Sequence, residues 1–222
     1  MKRLTLSSLA TAGLLALSPL HAATFGDVQF WVGSGANQAA MVIDWNDGKS
    51  PESLLWGYRW NGSATGLDMF EAVVNADSRL FAHVGTYSWG TAIQGIGYDL
   101  NNSGGFAVSP PLTFDSGGLA LDTNPDDARV ATDSADHFLE GWNNGFWDYY
   151  TRASSGDAWA SSFVGAADRV LADGAWDAYN FEAGFLPSVP SEPTPAMVPE
   201  PTTVSLFTLS ALTFVWLRRR HA

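Results

Sequence analysis

Cysteine is absent from all 222 residues of this chain. Its absence excludes disulfide bonds, thiolate metal ligands and catalysis by a thiol nucleophile. The fold must therefore be held together by packing, and a hydrophobic fraction of 46% is enough to build a core at this length. The 22 glycines are too many for an all-helical chain and favour a fold rich in strands and turns.

Basic side chains are scarce in the body of the chain. Five of the 11 lysines and arginines lie in the terminal segments, at Lys2, Arg3 and 218–220. All 23 acidic residues lie between Asp27 and Glu200, where only six basic residues accompany them, so this region carries a net charge of −17. Such a surface is repelled by phosphate backbones and by anionic headgroups. We therefore expect no nucleic-acid partner and no docking of this region on a membrane surface.

Signatures of catalysis are also missing. Only His83 and His137 lie outside the terminal segments, and no G-x-S-x-G motif is present to hold a serine nucleophile. Paired carboxylates of the kind used in glycoside hydrolysis cannot be singled out among so many acids, most of which occupy turn-like positions. We therefore predict a non-enzymatic protein with no catalytic residues.

The first 22 residues are typical of a secretory signal peptide. Lys2 and Arg3 form a charged start, residues 4–17 an apolar region, and residues 19–23 offer small side chains for cleavage by signal peptidase. The alternative is a buried N-terminal helix. Leu20 is bulky for the position three before a cut after Ala22, so the exact cleavage point stays open.

The C-terminal 25 residues read VPEPTTVSLFTLSALTFVWLRRRHA. Residues 202–217 carry no charge, and this stretch of 16 is slightly under the roughly 17 to 25 residues of a spanning helix. We predict a transmembrane helix over 202–217, stopped on the cytoplasmic side by Arg218, Arg219 and Arg220. The alternative is a buried C-terminal helix, which would crowd the three arginines together.

Pro199, Glu200 and Pro201, followed by an apolar helix and an arginine cluster, resemble the PEP-CTERM sorting signal, which we place at residues 199–222. The resemblance implies recognition by an exosortase, a membrane-embedded enzyme that removes the hydrophobic segment. It also implies a Gram-negative host that makes extracellular polysaccharide. The expected path is a membrane-anchored intermediate followed by delivery to the cell surface or extracellular matrix.

Between these signals, residues 23–185 are predicted to form one exported domain, and residues 186–198 a proline-rich linker. Alternating apolar runs predict strands at 28–32, 39–45 and 53–60, with the first two joined by GSGANQ as a hairpin. Thr65 stands three residues before Asp68 as in a capping box, and helical spacing follows, so we predict a helix over 66–76 that covers the apolar sheet face. Further strand signals fall at 79–84, at 92–100 and across the last third of the domain.

This order of elements predicts an α+β fold, a mostly antiparallel β-sheet with one packed helix. Residues 47–73 and 168–181 are similar to stretches of uncharacterised bacterial envelope proteins, and the arrangement is faintly similar to β-grasp-like ligand-binding domains. These similarities supply no catalytic residues.

Calcium is the inorganic ligand that the acidic loops favour, although no cofactor is required. The stretch 122–133 places Asp122, Asn124, Asp126 and Asp133 at positions 1, 3, 5 and 12 of an EF-hand-like loop. Asp127 replaces the glycine expected at the sixth position, and Pro125 restricts the loop. Solvated acidic turns are the alternative.

Ten tryptophans are unusual for a chain of this size, and nine of them lie in the predicted domain. Most are expected to build the core, but flat aromatic rings also stack on the apolar faces of sugars. Trp142 and Trp147 flank the polar stretch NNGF, and we expect these two to be the most exposed. The alternative function is therefore a secreted glycan-binding or carbohydrate-active protein that binds extracellular polysaccharide, with Ca²⁺ as its candidate cofactor.

Overall fold

The computed structural model describes residues 22–199. Almost all of the predicted signal peptide, together with Glu200, Pro201, the predicted membrane helix and Arg218–Arg220, lies outside the described residues. Within residues 22–199, no helix is long and apolar enough to cross a membrane.

The described chain contains one α-helix, α1, at Gly66–Ala76, and short to medium strands on both sides of it. The strands are β1 Trp31–Gly33, β2 Asn37–Asp44, β3 Ser53–Trp60, β4 Leu80–Tyr87, β5 Gly90–Tyr98, β6 Val108–Ser109, β7 Leu119–Leu121, β8 Val130–Ala131, β9 His137–Glu140, β10 Gly145–Arg152, β11 Ala160–Ser161, β12 Trp176–Ala183 and β13 Thr194–Pro195.

The strands form two main sheets, and both are mixed. The large sheet has the order β1-β3-β2-β12-β10-β11, with β13 also paired to β3, and the small sheet has the order β7-β4-β5-β9. β6 and β8 make a separate two-stranded ribbon. The α+β class with one helix is thus confirmed, whereas a mostly antiparallel sheet is too simple. Strand pairs β1–β3, β12–β2, β13–β3 and β4–β7 are parallel.

The helix α1 forms where the sequence predicts it. Thr65 accepts a hydrogen bond from the Asp68 amide, and Asp68 accepts one from the Thr65 amide, so the predicted capping box is complete. Met69, Phe70 and Val73 are fully buried on one side of the helix. They belong to the same core cluster as Trp56 on β3, so the helix covers the apolar face of the large sheet as expected.

The large sheet is buried on both faces. Met41 and Ile43 of β2 lie in the main core, between this sheet, α1 and the small sheet, whereas Ala40 and Val42 lie in a second cluster with Trp176. The second cluster is covered by the N-terminal segment 23–31. Because alternate side chains of a strand point to opposite faces, a strand covered on both faces has apolar residues at every position.

The predicted hairpin of the first two strands is wrong. β3 lies between β1 and β2, parallel to the first and antiparallel to the second. The connecting loop crosses the end of β3, where a Cβ built on Gly35 would lie 2.0 Å from the Trp60 carbonyl oxygen. Glycine at this position lets the loop backbone pass close to the end of β3, so β3 can pair with both β1 and β2.

Residues 186–198, predicted as a linker, run along the large sheet, and we call them the C-terminal strap. Ser191 donates its backbone N–H to Asp44 at 2.7 Å, and β13 pairs with β3 next to the Ala196 amide, which donates to the Leu55 carbonyl at 2.9 Å. Ala196 is 1% exposed. Prolines fit here because an edge strand leaves one row of its amide positions unpaired.

Candidate functional site

A cluster of stacked aromatic rings at the surface is formed by Tyr87, Trp89 and Trp142, which we call the aromatic patch. The Tyr87 ring stacks on Trp89 at 4.8 Å and on Trp142 at 5.7 Å between ring centres. The two indoles are 6.2 Å apart. Trp89 is 64% exposed and Trp142 is 44% exposed, so the patch offers flat apolar faces to solvent.

Two loops hold the aromatic patch. β4 ends at Tyr87 and β5 begins at Gly90, so Trp89 lies in a two-residue turn with no core to pack against. Trp142 lies in the loop between β9 and β10, and the next two amides, those of Asn143 and Asn144, donate to one carboxylate oxygen of Asp127 at 2.6 and 2.7 Å. The patch is therefore positioned by backbone hydrogen bonds as well as by ring stacking.

A cavity of about 230 Å³ opens beside the aromatic patch. Trp142 forms part of its wall, and Phe146, Trp147 and Tyr149 line it from β10. These four aromatic side chains make the cavity an apolar cleft of the kind that small ligands occupy.

A second cavity of about 370 Å³ adjoins the first, because Leu67 and Thr91 line both. Its wall is more polar and includes the side chains of Glu71 and Asp122 together with three threonines. No lysine, arginine or histidine is among the residues that line either cavity. The combined cleft is thus apolar at one end and acidic, with hydroxyl groups, at the other.

Behind Asp122 lies a buried charged network. The ring of His83 is fully buried and lies between two carboxylates, with Nδ1 2.8 Å from Glu140 Oε1 and Nε2 2.9 Å from Asp122 Oδ1. Arg129 donates to the same Glu140 oxygen at 2.6 Å. Gln94 connects this network to the aromatic patch, since it donates to the Asp122 carbonyl at 2.7 Å and accepts from the Tyr87 hydroxyl at 2.7 Å.

The network shifts the acid–base properties of its members. Burial lowers the pKa of His83, but the hydrogen bonds and charges of Glu140 and Asp122 outweigh it and the net shift is upward. Partial burial raises the pKa of Asp122. The hydrogen bond from the Asn124 amide and the contact with His83 lower it by more, so the pKa of Asp122 lies below its ordinary value. When His83 is protonated, it and Arg129 balance the charges of Asp122 and Glu140.

The second histidine serves a separate network. His137 Nδ1 lies 2.9 Å from Asp47, Nε2 donates to the Pro51 carbonyl at 3.0 Å, and the ring stacks on Trp45 at 4.4 Å. Trp45 in turn donates to the Ile96 carbonyl at 3.0 Å and so joins the large sheet to the small one. Both ring nitrogens of each histidine are engaged with oxygens of carboxylates or of the backbone, and none of these partners is a serine.

The four residues of the predicted calcium loop are divided between two places. Asp122 contacts His83, and the Asp126 amide donates to Glu140 at 2.9 Å, so these two positions border the charged network. Asp133 instead accepts from the Asn101 side chain at 2.8 Å. The Asp122 carboxylate accepts the Asn124 amide at 2.8 Å, and Asp126 likewise accepts the Ala128 amide at 2.9 Å. Across residues 22–199, no group of three or more acidic, histidine or cysteine side chains is arranged to hold a metal ion.

Of the two tryptophans expected to be most exposed, the structure supports Trp142 only. Trp147 is 8% exposed and donates its indole N–H to the Leu139 carbonyl at 3.1 Å, because β10 turns this side chain toward the main core. It still reaches the cleft as a lining residue. The sequence signal that was missed is TYSWG, which places Trp89 in the short turn between two predicted strands.

Comparison with known proteins supplies no relative: no protein-family model, curated protein or solved structure matches this chain.

Proposed function

We propose that this chain is a non-enzymatic exported protein that signal peptidase and an exosortase process in turn. The observation that carries the proposal is the tripartite tail: Pro199, Glu200 and Pro201, an uncharged stretch over 202–217, and the arginines at 218–220. In this proposal the uncharged stretch anchors an intermediate in the membrane. Removal of the tail then releases the domain to the cell surface or extracellular matrix of a Gram-negative bacterium.

Two features of the domain support this proposal. Met197 and Val198 are each 57% exposed, so the chain leaves the strap at the surface just before the sorting motif, where an enzyme can reach it. The engagement of His83 and His137 in buried networks supports a domain that acts by binding or by presence rather than by catalysis.

The test is an intact-mass and fractionation experiment in a host with and without its exosortase. We expect the mass of the wild-type protein to lack the segment after the sorting motif, and the exosortase deletion to retain an intact tail in the membrane fraction. A tail left uncut in both strains would refute sorting and leave a simple membrane-anchored protein.

A second candidate function, glycan binding, is favoured by the aromatic patch beside the cleft. Two exposed indoles that both stack on the Tyr87 ring match the apolar face of a pyranose, and the threonines and carboxylates of the second cavity match its hydroxyl groups. The acidic lining disfavours polyuronates and favours neutral or amino sugars. One helix packed on a mixed sheet supports a similarity to β-grasp-like ligand-binding domains as part of this second candidate function.

Titration calorimetry of the full chain with three hexasaccharides, of β-1,4-linked glucose, glucosamine and mannuronate, tests this function. We expect heat with glucose or glucosamine and none with mannuronate. Trp89→Ala and Trp142→Ala should each weaken binding about tenfold, the value of one good stacking contact. Leu186→Ala is the matched control, because this side chain is 72% exposed and lines neither cavity.

Equal affinities in both tryptophan variants and in the control would refute the role of the patch, as would a preference for mannuronate. Repeating the titration with calcium and with a chelator tests whether the proposed dependence on Ca²⁺, through Asp122 and its neighbours, exists. Unchanged affinity in the two buffers would remove calcium from the proposal.

A further inference from the structure

The first residue after the predicted signal peptide, Ala23, is bound by an acidic side chain of the C-terminal strap. The Ala23 backbone N–H donates to Glu192 Oε2 at 2.9 Å, across 169 positions of the chain. Ala23 is 8% exposed and belongs to the cluster that covers the outer face of the large sheet. The exposed carboxylate of Glu192 therefore faces the buried nitrogen next to the predicted cleavage region.

The surrounding charges are not balanced when this nitrogen is a neutral amide. Arg152 is 6% exposed, lies over the rings of Trp159 and Trp176 at 4.2 and 4.5 Å, and has no hydrogen-bond partner for Nε or Nη2. Burial lowers the pKa of Arg152, and the charges of Glu192 and Asp157 oppose that shift. One cation thus interacts with two carboxylates, and a second cation close to Glu192 would balance the set.

We propose that signal peptidase cleaves between Ala22 and Ala23 and that Glu192 is the receptor for the α-ammonium group so produced. Hydrolysis adds water across the peptide bond: Ala22 keeps the carboxylate, and Ala23 takes up the protons to become an ammonium. The cut is made on an extended chain before folding, and the charged end is then enclosed as the domain forms. This inference rests on the proposed export of the chain and fixes the cleavage point that Leu20 leaves open.

The neighbouring cut points do not create the same contact. Cleavage after Ala23 would place the ammonium on Thr24, whose amide faces Asp27 at 2.8 Å within a local turn, and would remove the buried Ala23. Cleavage before Ala22 would leave the Ala23 nitrogen a neutral amide. A cut between Ala22 and Ala23 therefore keeps Ala23 in its apolar cluster and places the new ammonium group next to the Glu192 carboxylate.

The first experiment is the intact mass of the exported full chain. We expect its N terminus at Ala23. A start at Thr24 or at any other residue would overturn this inference while leaving export intact. A chain that keeps residues 1–22 would refute export itself, so the two failures are distinguishable.

The second experiment compares Glu192→Gln with Glu52→Gln in the exported protein. Glu52 is the matched control, because it also accepts a backbone N–H, from Gly48 at 3.1 Å, but one that processing leaves unchanged. At pH 6.5 we expect Glu192→Gln to lower the folding equilibrium constant about three- to fivefold, because Glu192 is exposed, and Glu52→Gln about twofold or less.

The pH dependence separates an ammonium from an amide. An amine that gains a carboxylate has a raised pKa in the folded state, so its contribution is present below the ordinary value of about 8 and is lost as pH rises through the raised one. Glu192, Arg152, Asp157 and Asp27 are the charged groups around it. The excess effect of Glu192→Gln should therefore shrink to about twofold at pH 10. An effect equal to that of Glu52→Gln at pH 6.5, or one that persists unchanged at pH 10, would overturn the role of Glu192.

Discussion

Replacing Glu140 by glutamine is the sharpest test of the charged network behind the cleft. One oxygen of this carboxylate accepts from Arg129, from the Asp126 amide and pairs with His83, at 2.6 to 2.9 Å. Its other oxygen has no hydrogen-bond partner, and the whole residue is 4% exposed. Glu140→Gln keeps the size of the side chain and an acceptor oxygen but removes the charge that both cations face.

The expected loss can be bounded. Removing one partner of a buried ion pair costs about 3 to 5 kcal/mol because the remaining charge stays buried. Here Asp122 still lies 2.9 Å from His83, so we expect a somewhat smaller loss, about 2 to 4 kcal/mol. Against a typical total stability of about 5 to 15 kcal/mol, such a loss is easily measured.

The pH dependence supplies a second signature. Because the folded pKa of His83 is raised, its protonated form stabilises the wild-type fold below the ordinary value of 6.5, and this contribution is lost as pH rises through the folded pKa. Without the Glu140 charge that pKa is raised less, so the wild type should lose more stability than the variant between pH 6 and pH 8.

Urea unfolding followed by tryptophan fluorescence at both pH values gives the measurement. Glu182→Gln is the matched control: Glu182 is also 4% exposed on a strand, but its donors are the neutral Tyr150 hydroxyl and the Ser188 amide. A loss below about 1 kcal/mol for Glu140→Gln, or an equal pH dependence in the two variants, would refute the reasoning.

Three further changes test the fold. Gly57→Ala should lower the free energy of unfolding by about 1 to 3 kcal/mol in urea titration, because the new Cβ would lie 2.4 Å from the Trp31 ring. Thr65→Ala removes the cap of α1, and its melting temperature should fall by the equivalent of about 1 kcal/mol. The third change tests stability in acid. Partial burial raises the pKa of Asp47, but His137 and Lys49 lower it by more. The ionised Asp47 therefore stabilises the fold above the ordinary value of 3.8, and this stabilisation is lost as pH falls through the lowered pKa. Asp47→Asn should therefore reduce the loss of thermal stability between pH 5 and pH 2.5.

Local signals in the sequence were enough to predict the helix. The capping box of Thr65 and Asp68 and the spacing of Phe70, Val73 and Val74 lie within a dozen residues, and they determine both the start of α1 and its buried side. The apolar side of residues 53–60 was likewise visible, because alternation within one strand needs no knowledge of its partner.

Strand partners were not predictable in the same way. The pairing of β2 with β12 joins Ala40 to Trp176, and the pairing of β13 with β3 joins Leu54 to Thr194, more than 100 positions apart in each case. Composition made the strap look like a free linker, since proline is rare in central strands. An edge strand tolerates proline, and only the folded sheet reveals that β3 has such an edge to offer.

The candidate site combines residues that sequence could identify with others that it could not. Trp142 was found because it lies in a polar stretch, whereas Trp147 in the same stretch turns inward with the alternation of β10. Trp89 lies in the β4–β5 turn, far from Trp142 in the chain, yet the two ring centres are only 6.2 Å apart. Exposure of a ring depends on what packs against it, and that is a property of the whole fold.

The two chain segments next to the predicted processing sites have one structural task in common: they close the large sheet. The N-terminal segment covers its outer face around Trp176, and the strap pairs with the edge of β3. An unpaired edge or an uncovered apolar face invites association with other chains. The hydrogen bond between Ala23 and Glu192 joins the N-terminal segment to the strap. When both segments are in place, the outer face of the large sheet and the edge of β3 are covered. Under the proposed export of this cysteine-free chain, processing that leaves both segments in place would therefore preserve the parts of the chain that protect the sheet from association.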